Sequence, residues 1–142
     1  MVTFSSEQIK EISEQLDCGF RALYHKKSGE LIFVPDTDQY FDMDTDAWKE
    51  EFTKLKKNGS SYQEIYAMDS NDSFKVMGDF AQEVANEKLQ QELLNALNRK
   101  KPFSQFKFII DNSGVYRQQW FDFKNKRYLE WTKDQLSINR TE

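Results

Sequence analysis

From Val115 to Leu136 the apolar residues keep a 3–4 spacing. The pattern persists for roughly five turns or more at 3.6 residues per turn, which points to one long amphipathic helix. On a helical wheel Tyr116, Trp120, Phe123 and Trp131 share one sector. Phe121 and Tyr128 lie beside them, and Leu129 and Leu136 further round. Gln119, Asp122, Lys126, Glu130 and Lys133, at spacings of 3, 4, 4 and 3, fill a narrow polar stripe. A helix with so wide an apolar arc must be largely buried, so the rest of the chain has to supply partners for it. A hairpin turning at Asn125-Lys126 is the rival reading of Phe121 to Leu129, and it breaks the spacing. The helix belongs to an aromatic-basic block, Pro102 to Trp131, with nine aromatics between Phe103 and Trp131.

The remaining elements follow from local signals. Ser5-Ser6-Glu7-Gln8 reads as a capped helix start, with Ile9, Ile12 and Leu16 on one face and Gly19 closing it. Phe20 to His25 and Glu30 to Val34 read as strands of a hairpin around Lys26–Gly29, and Tyr62 to Ala67 as a third strand. Asp46 is placed to cap a helix carrying Trp48, Phe52 and Leu55. Asp69 to Ser73 offer caps for a helix with Phe74, Met77, Phe80, Ala81 and Val84 on one side. Asn86 restarts a helix with Leu89, Leu93, Leu94 and Leu97. Pro102 suits the first turn of another with Phe103, Phe106, Ile109 and Ile110. The expected fold is α+β: a small antiparallel sheet, the N-terminal hairpin plus a third strand, packed with helices and followed by a helical C-terminal half. One domain over 1–142 is expected, with lobes at 1–69 (α+β) and 70–142 (helical).

Composition bounds the class. In 142 residues, 12 Phe, 6 Tyr and 3 Trp supply the large buried areas that a disordered chain lacks. The N-terminus has no apolar signal core and no apolar run approaches the ~20 residues of a membrane helix, so a membrane is not an expected partner. A single cysteine, Cys18, precludes an internal disulfide and fits a reducing, cytoplasmic setting. The net charge of −4 is unevenly spread. Residues 1–72 hold 15 acids against 8 bases, and residues 73–142 hold 9 against 12. A basic half in an acidic protein suits an acidic partner.

No catalytic constellation emerges. The acidic loop Asp36 to Asp46 fails as a calcium-binding loop. A register from Asp42 finds Ala47 where glycine is required and Thr53 where glutamate is required. A register from Asp36 finds Phe41 and Ala47. Cys18 and the only histidine, His25, form a conceivable dyad without a surrounding motif. Phosphate loops and dinucleotide fingerprints are absent, and no metal or cofactor is expected. The candidate binding residues are the turn Arg99-Lys100-Lys101, then Lys107, Lys124 and Arg127, the last two inside the apolar arc of the long helix. They suit snorkelling, stacking on rings, or contact with a carboxylate or phosphate. The leading reading is a non-enzymatic binding or regulatory domain with a protein partner. A nucleic-acid-associated role through the basic-aromatic half is the alternative, and an enzyme of unknown chemistry the second alternative.

The run from Phe74 to Trp131 resembles a bacterial family of uncharacterised proteins, family 0158. The resemblance rests on Met77 with Asp79-Phe80, Leu93-Leu94 with Ala96-Leu97, Phe103 with Phe106-Lys107, and Trp120-Phe121 with Trp131. The hairpin residues Leu23-Tyr24 and Ser28-Gly29-Glu30 fit the family's N-terminal part, so the likeness covers about Cys18 to Leu136. Members tend to carry a small, glycine-containing turn where this chain has Arg99-Lys100-Lys101-Pro102, and an acidic residue where it has His25. The family has no established activity, so the resemblance implies no site residues.

Overall fold

The structure, a computed structural model, describes residues 2–36 and 46–140. Among them are six α-helices and a three-stranded antiparallel sheet, and the chain divides into two compact units. One comprises Met1–Ala67 with Tyr128–Glu142, the other Met68–Arg127.

The first unit begins with α1, Ser6–Asp17. Ser5 closes a reciprocal cap: its Oγ accepts from the Gln8 amide at 3.1 Å, and Gln8 Oε1 accepts from the Ser5 amide at 2.9 Å. Gly19 then turns the chain at a φ of 89°. Strands β1 (Phe20–His25) and β2 (Leu31–Pro35) pair antiparallel with Leu23 opposite Ile32, and β3 (Tyr62–Ile65) pairs with the other edge of β1, giving the order β2-β1-β3. The central strand buries Ala22, Leu23 and Tyr24 in succession, as a strand covered on both faces must. Leu23, Ile32 and Val34 form one cluster, against which Trp48, Phe52 and Leu55 pack. Phe52 and Leu55 belong to α2, Lys49–Asn58. The helix starts later than an Asp46 cap would set it: Asp46–Trp48 forms a 3₁₀ turn, and the cap position falls on Trp48 without a side-chain bond. Tyr24 meets Phe4 edge-on at 5.3 Å, so the N-terminal segment packs on this unit too.

The second unit is helical: α3 (Ser70–Glu83), α4 (Glu87–Leu97), α5 (Pro102–Asp111) and the first half of α6 (Val115–Arg140). Asp69 caps α3 by accepting from the Asp72 amide at 2.8 Å, and Asn86 caps α4 by accepting from the Leu89 amide at 2.9 Å. The core gathers Val76, Phe80, Leu89, Leu93, Leu97, Phe106, Ile110 and Trp120. Its rings meet edge-on: Phe80 and Trp120 at 5.3 Å, Phe106 and Trp120 at 5.0 Å. Two expected core residues lie outside. Phe74 is exposed while Val76, two positions on, is buried, and Phe103 is exposed at the edge of α5.

In α6 the five residues of the polar stripe are all exposed and the named rings and leucines are buried or half-buried, but Arg117, Gln118, Asn125 and Asp134 fall within the same arc and are exposed, so the helix is wetter than the expected narrow stripe. The continuous helix excludes the hairpin at Asn125-Lys126. The second half of α6 packs within the first unit through polar contacts that hydrophobic spacing does not announce. Ser13 and Thr132, both buried, place their hydroxyl oxygens 2.9 Å apart, with Ser13 Oγ also 2.9 Å from the Ile9 carbonyl. Ser13 has one proton, so when it donates to the carbonyl Thr132 donates to Ser13. At the end of β3, the Gln135 amide treats Tyr66 as a strand neighbour would. Its Oε1 accepts from the Tyr66 amide at 2.9 Å, and its Nε2 donates to the Tyr66 carbonyl at 2.7 Å. Trp131 Nε1 donates to the same carbonyl at 2.7 Å. These bonds satisfy backbone groups where sheet pairing stops.

Candidate functional site: the basic face of the helical unit

Between Glu92 and Asp111 the chain carries no carboxylate, and it carries Arg99, Lys100, Lys101 and Lys107. All four are exposed. Among the described residues no carboxylate pairs with any of them. The first three form the turn from α4 to α5. Arg99 and Lys100 follow the carboxyl end of α4, whose unpaired carbonyls favour positive charge. Lys101 stands at the start of α5 with φ 54° and ψ 55°, a left-handed conformation that a side chain disfavours, and Pro102 fixes the next residue in the first helical turn. Lys107 lies one turn after Phe103 on the same side of α5. Phe103, exposed, thus falls in the same stretch of chain as four cations that have no ionic partner among the described residues.

The other two candidate cations have different surroundings. Arg127 donates from Nη1 to Asp79 Oδ2 at 2.8 Å and lies 5.7 Å from the Phe123 ring centre. Its charge is balanced within the helical unit, by a residue 48 positions earlier that spacing alone could not nominate. Lys124 lies over Phe121 at 5.4 Å, and Arg117 approaches the same ring at 4.8 Å while pairing with Asp111 at 3.3 Å. The six candidates therefore separate into an open set of four and two cations lying against the α6 rings.

A second exposed feature escaped the sequence reading. Phe108 and Val115 are 70% and 71% exposed, and Phe108 edges an open recess of about 340 Å³ with Lys88, Leu89, Glu92, Ile109 and Tyr116. The wheel of α5 contains the signal, since Phe108 lies about 200° from buried Phe106 at 100° per residue.

Cys18 ends α1 ahead of the Gly19 turn and His25 ends β1, whose rise sets Phe20 and His25 roughly 16 Å apart. His25 Nδ1 accepts from the amides of Lys27 and Ser28 at 3.1 and 3.2 Å, and its ring meets Tyr62 edge-on, so the imidazole braces the hairpin turn. Asp38, Asp42 and Asp44 of the acidic loop lie outside the described residues. Among those described, no cluster of three or more His, Cys, Asp or Glu is arranged to hold a metal ion, and no helix is long and apolar enough to cross a membrane.

Comparison with known proteins bears out the family resemblance. The family model described as "Uncharacterised protein family (UPF0158)" matches residues 2–142. A UPF0158 protein of Pseudomonas aeruginosa is 33% identical over 75 residues, which cover 53% of this chain and 49% of that relative, so the matched stretch spans about half of each. No solved structure matches the chain. The chain belongs to the uncharacterised protein family UPF0158.

Proposed function

We propose that this chain is a non-enzymatic binding domain whose helical unit docks a protein partner of acidic character. The observation that carries the reading is the carboxylate-free run Leu93–Ile110, with Arg99, Lys100, Lys101 and Lys107 on the surface beside exposed Phe103. Arginine and aromatic side chains are the usual anchors of protein interfaces, and a single-sign patch steers a partner of opposite sign. Lys124 and Arg127 fall outside the proposed surface, because Lys124 lies over the Phe121 ring and Asp79 already balances Arg127. A reducing, cytoplasmic setting belongs to the same reading, on the strength of the single cysteine.

A single-stranded nucleic acid is the second reading, favoured by the same exposed ring and cations. The net charge of −4 weighs against it. Titration of the full chain with a glutamate-tyrosine copolymer and, separately, with a mixed single-stranded oligonucleotide decides between them. The proposal expects the copolymer to bind and charge reversal at Arg99, Lys100, Lys101 and Lys107 to abolish that binding. Binding of the oligonucleotide alone, with a log–log salt slope near −3 as four phosphate contacts on a single strand require, overturns it.

A further inference from the structure

The recess beside Phe108 lies on another face of the helical unit, and nothing in the basic-face reading uses it. Its walls come from the start of α4, the end of α5 and the start of α6. Leu89, Ile109 and Tyr116 line it, and Phe108 stands largely in solvent at its rim. The apolar surface is small, with one ring standing out of it and charges of both signs at its rim.

The charges at the rim say what it contacts. Lys88 and Glu92 are one turn apart on α4, about 6 Å along the axis. Neither serves α4 well. Lys88 sits in the first turn, where the helix dipole disfavours a cation. A lysine four residues before a glutamate is also the weaker order for an intrahelical pair. Neither residue has an ion pair among the described residues. A uniformly acidic or basic partner meets one matched and one opposed charge there. An antiparallel second copy of α4 meets both correctly, because a twofold axis between the two positions sets Lys88 against Glu92 of the other copy and Glu92 against its Lys88. Such a self-complementary patch is what a twofold contact requires.

We infer that the chain self-associates as a twofold dimer through this recess, with Phe108 of each copy covered by the other and two reciprocal Lys88–Glu92 contacts setting the register. Sedimentation equilibrium of the full chain over a range of concentrations tests it. The expected result is a mass rising from one chain toward two. Phe108→Ser, at a solvent-exposed position, leaves the circular dichroism unchanged and yields a monomer. Lys88→Glu and Glu92→Lys each weaken association by roughly tenfold, because both contacts turn repulsive. Mixing those two variants restores association as a heterodimer, and the double swap K88E/E92K restores it within one chain. A wild-type chain that stays monomeric throughout overturns the proposal, and the recess then belongs to a different partner. Self-association indifferent to both single reversals overturns it equally. Neither result bears on copolymer binding at the basic face.

Discussion

Lys101 is held in a backbone conformation that its side chain opposes. Left-handed strain of this kind amounts to about 1 kcal/mol, and glycine removes it. Lys101→Gly should therefore leave the thermal midpoint unchanged or raise it by up to about 3 °C. The same substitution should weaken copolymer binding, because it removes one of the four open cations. A fall in the midpoint would mean that the lysine side chain contributes to the fold. Arg127 gives the opposite pairing of outcomes. Its bond to Asp79 is partly exposed, at 28% and 44% for the two side chains, so Arg127→Met should cost no more than about 1 kcal/mol in denaturant unfolding. Copolymer affinity should not change, since that charge is already balanced.

Among the elements, β3 and α3 carry the clearest tests. The bidentate contact of Gln135 with Tyr66 and the Trp131 indole bond hold the end of β3. Gln135→Ala should destabilise by about 1–2 kcal/mol and Trp131→Phe by about 1 kcal/mol, as read from urea midpoints. The start of α3 is sensitive to acid. The Asp69 carboxyl is held below the usual carboxylate range, first by the Asp72 amide, then by the Asp72 side chain and the Asn71 amide, with partial desolvation opposing. A folded-state pKa below the unfolded one stabilises the fold above the unfolded value and loses that contribution as pH falls through the folded value. Helicity followed by circular dichroism should therefore fall in wild type below about pH 4, with Asp69→Asn showing a shallower loss over the same range.

Much of this level was legible in the sequence. The caps at Ser5, Asp69 and Asn86, the strand Phe20–His25, Pro102 at the start of α5 and the polar stripe of α6 all depend on neighbours a few residues away. What escaped depends on distant partners. The Ser13–Thr132 hydroxyl pair, the Gln135 contact with Tyr66 and the Arg127–Asp79 bond join residues far apart in sequence, and their side chains show no periodicity. The spacing places Phe74 and Phe103 on the core faces of their helices, yet Val76 takes the place of Phe74, and Phe103, in phase with buried Phe106 and Ile110, is exposed in the first turn of α5. Of the candidate site, the positions of the cations could be read directly; their sorting into open and ring-packed sets required coordinates.

For the whole molecule, charge distribution carries the functional account. The longest carboxylate-free run of an acidic chain is Leu93–Ile110, and its cations stay on the surface without ionic partners among the described residues. Membership of UPF0158 brings no activity with it. The measurement that tests the central claim most directly is a backbone NMR titration of the full chain with the glutamate-tyrosine copolymer at low salt. The account predicts shift changes concentrated at Arg99, Lys100, Lys101, Phe103 and Lys107, fading as salt is raised past the Debye screening of exposed charges. No perturbation at any ratio, or changes confined to the sheet residues of β1 to β3, would contradict it.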